Sequence, residues 1–389
     1  SPILDRVVLG IDPGYRTGCK VAVISKTGSV LDHVNIYPTK PQEKIKESKD
    51  ILAKLIKKYD VSLIAIGNGT ASRETEKVVV ELINELKKED LFYSIVNEAG
   101  ASIYSASKLG QEEFPDLDVT VRGAISIARR IQDPMAELVK IEPKHIGIGQ
   151  YQHDVNQKQL TETLSDVIED CVNKVGVDVN TASFSLLSYI SGMTKTMAKN
   201  LVSYRDENGA FKNRDEIKKV KGIGPKAYTQ SAGFLRIRNG ENPLDNTAVH
   251  PESYEIAEKL YGQDLDKLNV SKLSKELGVG ELTLKDIIEE LKRPGRDIRE
   301  DMPKPILRSD VLSIEDLEVG MELKGTVRNV VDFGAFIDIG IKNDGLVHIS
   351  QISNKYIKHP SEVLKVGDIV KVKILEIDLE KQKVKLTMR

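Results

Sequence analysis

The sequence holds only two cysteines, Cys19 and Cys171, far apart along the chain. That spacing excludes a disulfide framework and a thiolate zinc site. No apolar run is long enough to span a bilayer. The first residues, Ser1-Pro2-Ile3-Leu4-Asp5, show no signal-peptide pattern. These absences point to a cytoplasmic protein without membrane attachment. The chain also does not open on Met, so a piece of a longer protein is expected. Its six histidines are scattered, and neither a bound metal nor a cofactor is expected. The loop Gly67-Asn68-Gly69-Thr70-Ala71-Ser72-Arg73-Glu74 lacks the Gly-Lys-Ser/Thr ending of a Walker motif.

A strong excess of one charge sign is missing too, the net charge being −2. The balance conceals segregation. Residues 182–240 carry eleven basic and four acidic side chains, and residues 241–318 carry eleven basic and nineteen acidic ones. Residues 319–389 carry twelve basic and nine acidic. A basic island is the electrostatic footprint of a nucleic-acid binder. At 389 residues the chain has room for two to four domains of roughly 100–200 residues each.

Within the island lies Val220-Lys221-Gly222-Ile223-Gly224-Pro225-Lys226. Glycine takes positive φ and lets a partner approach the backbone, and proline opens a helix. The stretch reads as a hairpin between helices that offers backbone N–H groups, Lys221 and Lys226 to a phosphate. An ordinary capped connection would look similar. Tyr189-Ile190-Ser191-Gly192-Met193-Thr194 repeats the pattern more loosely, with Thr194 where the second glycine would stand. Two such units resemble the tandem module of ComEA-type DNA-binding proteins.

Along the chain, Val7–Asp12, Cys19–Ser25 and Val30–Tyr37 read as three hairpin-joined strands. A helix over Gln42–Lys58 follows, then a buried strand Val61–Gly67, a helix Thr75–Lys88, a strand Phe92–Val96 and a helix Arg122–Gln132. This order predicts a mixed sheet covered on both faces. Gly10-Ile11-Asp12-Pro13-Gly14 with this strand order resembles the RNase H-like fold of the YqgF and RuvC nucleases. The resemblance implies carboxylates gathered around divalent metals, with Asp12 and Glu98 at the matching positions. The third acid of that family opens the last helix. Here that place reads Thr120-Val121-Arg122-Gly123-Ala124, with Asp116 and Asp118 in the loop before it. Arg122 is expected to bring positive charge toward the metal position, and two carboxylates make a poor magnesium site. The expectation is a fold retained without catalysis. The alternatives are a metal-dependent nuclease or resolvase using Asp12 and Glu98, and an actin-like or sugar-kinase nucleotide fold.

The Gly67–Glu74 loop suits phosphate through helix N–H groups and Arg73. It suits equally a helix capped by Thr70 or Ser72. Gln150-Tyr151-Gln152-His153-Asp154-Val155 is a polar string read as a structural joint. Thr161–Val175 and Ala182–Ser191 read as helices, and Arg214-Asp215-Glu216-Ile217 starts another. Ser253–Tyr261, Leu268–Gly278 and Thr283–Leu291 make a small acidic helical segment, a spacer or a surface for a polymerase or ribosome.

The segment Val319–Asp338 opens a five-stranded barrel. Gly345–Ser350, Leu364–Lys373 and Lys383–Met388 supply its later strands. This resembles the S1-type OB fold of RNA-binding proteins. The resemblance puts Phe333, Phe336 and His348 on an exposed face as stacking platforms, and Arg328, Lys371, Lys373 and Arg389 beside phosphates. Strand alternation sets Phe333 and Phe336 on opposite faces unless Gly334 bulges.

The expected architecture is multidomain, α/β plus all-α plus all-β. It comprises an RNase H-like domain (1–150), a linker helix with tandem helix–hairpin–helix units (151–240), a small helical domain (241–312) and an S1-type OB-fold barrel (313–389). That order is similar to the bacterial Tex family of transcription accessory proteins, whose full-length members carry further helical domains before the RNase H-like one. The resemblance implies a cytoplasmic, sequence-blind binder of RNA and DNA, both single strands and duplex backbone. Transcription or translation machinery is the implied partner.

Overall fold

The computed structural model describes residues 1–149, 151–308, 314, 317–341, 343–379 and 381–389. Gln150 of the polar string and the expected boundaries at 150 and 312–313 lie outside the described residues. The chain forms two compact units, Ser1–Asp133 with Pro303–Arg389, and Pro134–Met302.

In the first unit, strands β1 (Val8–Asp12), β2 (Cys19–Ile24) and β3 (Val30–Ile36) form an antiparallel meander. Helix α1 (Ile45–Tyr59) leads to β4 (Leu63–Gly67), and α2 (Ser72–Leu86) leads to β5 (Phe92–Val96). The sheet order is β3-β2-β1-β4-β5, with β1, β4 and β5 parallel. The central strands carry apolar residues without interruption because both faces are covered. Leu9, Ile11, Val21, Val23, Ile64 and Ile66 face a core shared with α1 and α2. Val8, Ala22, Ile24, Leu63 and Ala65 face the other side. There the short helices α3 (Ala101–Ala106) and α4 (Lys108–Glu113) precede α5 (Val119–Gln132). α5 lies very close to the sheet, since a Cβ on Gly10 would come within 2.3 Å of the Ala124 carbonyl. Only glycine permits that approach. The sequence pattern missed α3 and α4, which are one to two turns each and too short for periodicity to register.

The second unit opens with α6 (Pro134–Leu138) and the long α7 (Gln157–Val175). The two-residue strand β6 (Val177–Asp178) pairs in parallel with β7 (Leu235–Arg236) and closes the hairpin module at its ends. Between them lie α8 (Phe184–Leu187), α9 (Lys195–Asn208), a 3-10 turn over Arg214–Lys219 and α10 (Pro225–Ser231). The helix expected over Ala182–Ser191 is thus a single turn. Ser183 caps it by accepting from the Leu186 N–H, and the chain then leaves the helix to reach the first hairpin. Helices α11 (Tyr254–Leu260), α12 (Val270–Leu277) and α13 (Glu281–Lys292) form a satellite core around Ala257, Leu260, Leu284 and Ile287.

Arg214 joins the two parts of this unit. Its side chain is 1 % exposed. The guanidinium donates to the carbonyls of Leu235 at 2.8 Å and Val249 at 2.7 Å, to Thr247 O and to the Tyr254 hydroxyl. Tyr254 in turn donates to Asp245 Oδ1 at 2.5 Å, and Asp245 Oδ2 accepts the Arg214 N–H. A planar five-donor group satisfies several carbonyls at once, which lysine cannot do.

The barrel returns to the first unit. Its strands are β8 (Glu322–Val331), β9 (Gly334–Asp338), β10 (Gly345–His348), β11 (Ile369–Asp378) and β12 (Lys383–Thr387), closed in the order β10-β12-β11-β8-β9. Val327, Ala335, Ile337, Val347, Val372, Ile374, Val384 and Leu386 fill it. Arg308 pairs antiparallel with Tyr93 of β5, N–H to carbonyl in both directions.

Replacing Arg214 by Met leaves three buried carbonyls, those of Leu235, Thr247 and Val249, without that donor. Arg214→Met is expected to destabilise residues 134–302 by about 3–5 kcal/mol. Denaturant unfolding followed by hydrogen exchange at Thr247–Tyr254 checks this, and a loss below about 1 kcal/mol would contradict the assigned role.

Candidate nucleic-acid interface

The two hairpins share one turn geometry. Val220 and Ile223 are buried in the second, Ile190 and Met193 in the first. The Ile223 N–H donates to Val220 O at 3.1 Å, and the Met193 N–H to Ile190 O at 2.9 Å. Gly222 has φ +91° and Gly192 φ +79°, a region that disfavours any side chain. The next position differs. Gly224 (φ −83°, ψ 175°) and Thr194 (φ −94°, ψ 162°) are both extended, which any residue adopts. The turn therefore does not need the second glycine. Gly224 instead leaves open space, since a Cβ there would meet nothing within 4 Å. Thr194 uses its side chain as a cap, accepting the Met197 N–H at 3.2 Å. Among the described residues, the N–H groups of Gly192, Thr194, Gly222 and Gly224 have no acceptor. The Lys221 carbonyl is held by Asn200 Nδ2 at 2.8 Å, while the Lys221 and Lys226 side chains are exposed.

The basic island is thinner than its sequence count. Arg205 donates to Val179 O and Ala182 O, Arg236 to Arg296 O, and Arg214 is buried. Lys218 and Lys219 pair with Asp215 and Glu216. The cations left at the hairpin turns are Lys221 and Lys226, with Lys195 at the start of α9.

On the barrel, Phe333 sits in the turn before β9 and Phe336 on that strand. Their rings meet edge to face with centroids 6.3 Å apart. The expected separation onto opposite faces does not occur, because Phe333 precedes the strand and the bulge lies between Val327 and Asn329 on β8. Gly334 has another role: a Cβ there would come within 2.3 Å of Val347 O. Ala335 and Ile337 point inward, so Phe336 faces outward with its cross-strand partner Leu346, and His348 is exposed two pairs further on. His348 Nδ1 lies 2.9 Å from Ser350 Oγ. Lys371 and Lys373 project from β11 on either side of buried Val372. The two arginines are already engaged. Arg328 Nη2 donates to Asp338 Oδ2 at 2.8 Å, and Arg389 Nη2 to Ser353 O at 2.6 Å. Burial pushes the Asp338 carboxyl up, but the Arg328 bond, the Gly340 N–H and Arg308 together hold it below its ordinary range.

Asp12 ends β1 and Glu98 follows β5, and the fold brings them together. Asp12 is raised to about 6, first by burial, then by the Glu98 charge, against the opposing charge of Lys20. Lys20 stands directly across from Asp12 in the β1–β2 ladder and turns its ammonium to Thr17 O and Gly18 O. Arg122, expected to bring the positive charge, turns away to Phe114 O at 3.1 Å and Ser105 O at 3.2 Å. Glu98 lies over the loop after β4. A Cβ on Gly67 would fall 2.3 Å from Glu98 Oε2, which is buried without a partner. Asp118, from the neighbouring loop, caps α5 through the Thr120 N–H. Among the described residues no group of three or more His, Cys, Asp or Glu side chains could hold a metal. Two carboxylates with an ammonium opposite do not fit a dedicated two-metal centre.

The Gly67–Glu74 loop also differs from expectation. Neither Thr70 nor Ser72 caps α2; Ala71 stands there at φ +65° without a side-chain bond. Arg73 is not open to a phosphate. It pairs with buried Glu76 at 2.9 Å and donates to Ile341 O of the barrel at 2.8 Å. Nothing local in the sequence signals that pairing, because Ile341 is 268 residues away.

An RNase H-like sheet, a pair of hairpins of one turn geometry and a closed five-stranded barrel define a modular protein built on nucleic-acid-binding folds. Residues 6–132 match the model of the Tex protein YqgF-like domain, 172–236 the helix-hairpin-helix motif, 242–299 the HHH domain and 316–389 the S1 RNA binding domain. The chain belongs to the Tex family. It is 52 % identical to transcriptional accessory protein Tex of Neisseria gonorrhoeae over 98 % of the chain and 51 % of that protein. It is 51 % identical to protein tex of Bordetella pertussis over 100 % of the chain and 51 % of that protein. With human S1 RNA-binding domain-containing protein 1 it shares 38 % identity over 100 % of the chain and 46 % of the relative. The chain thus spans about half the length of the curated relatives it matches. No described helix is long and apolar enough to cross a membrane.

Because Asp12 is raised, its contribution to stability is full below the ordinary carboxylate range and is lost as pH rises through about 6. Asp12→Asn removes that loss. The variant is expected to be more stable by about 1–2 kcal/mol near pH 7.5 and unchanged near pH 4, read from denaturant midpoints. A variant destabilised near neutral pH would contradict this.

Proposed function

We propose that this chain is a nucleic-acid-binding part of a transcription accessory factor that grips RNA and DNA without sequence selection and without catalysis. The observation that carries the reading is the repeated hairpin, two turns of one geometry each presenting a pair of unpartnered N–H groups. Such groups, beside Lys221, Lys226 and Lys195, suit successive phosphates of one backbone. They read no base edge, so the grip is sequence-blind. The barrel supplies the single-strand surface. Phe333 and Phe336 offer ring faces to bases, His348 extends them, and Lys371 and Lys373 supply charge. Arg328 and Arg389 contribute after exchanging their present acceptors for phosphate. The chain works in the cytoplasm beside transcription or translation machinery, the transcription side supported by the name of the Neisseria gonorrhoeae relative.

The non-catalytic reading of the RNase H-like domain rests on Lys20 opposite Asp12 and on the missing third acid. It is tested with magnesium or manganese on a junction, a duplex and a single strand. Metal-dependent cleavage that disappears in Asp12→Asn would overturn it and favour a nuclease using Asp12 and Glu98.

Affinity is expected to fall steeply with salt. Lys221→Glu with Lys226→Glu should weaken duplex binding about tenfold or more and flatten the salt slope by about two. Phe333→Ala should cost about 1–3 kcal/mol on single strands and leave duplex affinity unchanged. Electrophoretic shifts over a salt series measure both. Binding indifferent to salt, or to the lysine pair, would rule out the hairpin grip.

A further inference from the structure

We propose that a cleft between the mixed sheet and the barrel is a nucleotide site, taking one nucleoside phosphate either free or as the end of a single strand. The cleft has a volume of about 810 Å³ and is framed by the start of α2 on one side and by the β9–β10 connection of the barrel on the other. That volume falls within the usual range for small-ligand pockets, roughly 300–1,000 Å³.

The lining has the three chemistries that a nucleotide needs. Ile95, Ile314 and Ile341 supply apolar walls for a base. Amides come from Asn68, Asn343 and Gln382. Asn343 Nδ2 donates to Gln382 O at 3.0 Å, Gln382 Nε2 to Leu379 O at 2.9 Å, and Asn68 Oδ1 accepts the Glu98 N–H at 3.1 Å. Among the described residues, these bonds leave Asn343 Oδ1, Gln382 Oε1 and Asn68 Nδ2 without partners. A mixed set of donors and acceptors is what a base edge requires.

Charge is placed for a phosphate. Lys77 lines the cleft, is exposed and pairs with no described carboxylate. Two of the acids that line it already have partners. Glu76 holds Arg73 and accepts from the Tyr93 hydroxyl, and Glu74 accepts from the Tyr15 hydroxyl. Asp344 has no described partner; as an acceptor it suits ribose hydroxyls, which favours ribonucleotides. Arg328, on strand β8 of the closed barrel, also lines this cleft. A strand stacked on Phe336 therefore has a cationic step into the cleft. The inference rests on the nucleic-acid reading above only for the strand-end source.

The test uses this chain and two probes. The first is AMP, with dAMP beside it, titrated by calorimetry. The second is a short oligoribonucleotide with 4-thiouridine at one terminus, photo-crosslinked and mapped. The variants are Lys77→Glu and Asn343→Trp, both at exposed positions, with unfolding curves to show that they fold. Expected is AMP binding that exceeds dAMP binding and falls tenfold or more in both variants, which assigns a free nucleotide. Terminal crosslinks to the Lys77 or Asn343 peptides that vanish in both variants assign a strand end. Absence of both signals overturns the proposal, as does AMP binding that neither folded variant changes. Loss of all oligonucleotide binding with AMP binding retained would instead sink the function proposed above and leave this site standing.

Discussion

A single buried guanidinium sets the geometry of the hairpin module. Arg214 begins the turn that feeds the second hairpin, yet its partners lie on β7, on the chain from Thr247 to Val249 and on Tyr254. Burying a cation is costly unless its donors are satisfied. Here the carbonyls that satisfy it belong to the connection leading to α11–α13. The arginine and those carbonyls need each other, so the module and the small helical segment are held in one arrangement. The exposed Gly222 and Gly224 are thereby presented on a rigid support, as a backbone grip requires.

The first unit has a comparable device. Glu76, 1 % exposed, holds both Arg73 and the Tyr93 hydroxyl, and Arg73 reaches the barrel at Ile341 O. Arg308 adds its backbone to β5 while its guanidinium approaches Asp338, which also binds Arg328. Arg73 and Arg308 thus serve as structural ties. They draw the barrel beside the loop that carries Asn68 and Gly69, and a lined cleft results. Beside Asp12 the ladder partner Lys20 answers the charge, while Arg122 on α5 binds the carbonyls of Ser105 and Phe114.

Much of the architecture was legible in the sequence. The continuous apolar runs of β1 and β4, the helical spacing of α1 and the repeated hairpin pattern each follow from a local rule with a clear period. Less legible were the short helices α3 and α4, the single-turn α8 and the placement of Phe333. These depend on caps, turns and cross-strand packing rather than on periodicity. Of the candidate site residues, Gly192, Gly222, Gly224, Lys221 and Lys226 lie exposed at the turns, and Phe333, Phe336 and His348 gather on one side of the barrel. Arg328 and Arg389 already hold acceptors, Asp338 and the Ser353 carbonyl.

The sequence alone determined the order of the folds and the two hairpin glycines that take positive φ. Those features are encoded by neighbouring residues, because φ, side-chain alternation and helix spacing act over a few positions. Tertiary structure alone decided which charges remain available. Arg73, Arg214 and Arg308 look like their exposed neighbours in the sequence. Whether each meets a phosphate or a distant carbonyl depends on chain segments tens to hundreds of residues away. Desolvation then commits a buried cation to those partners.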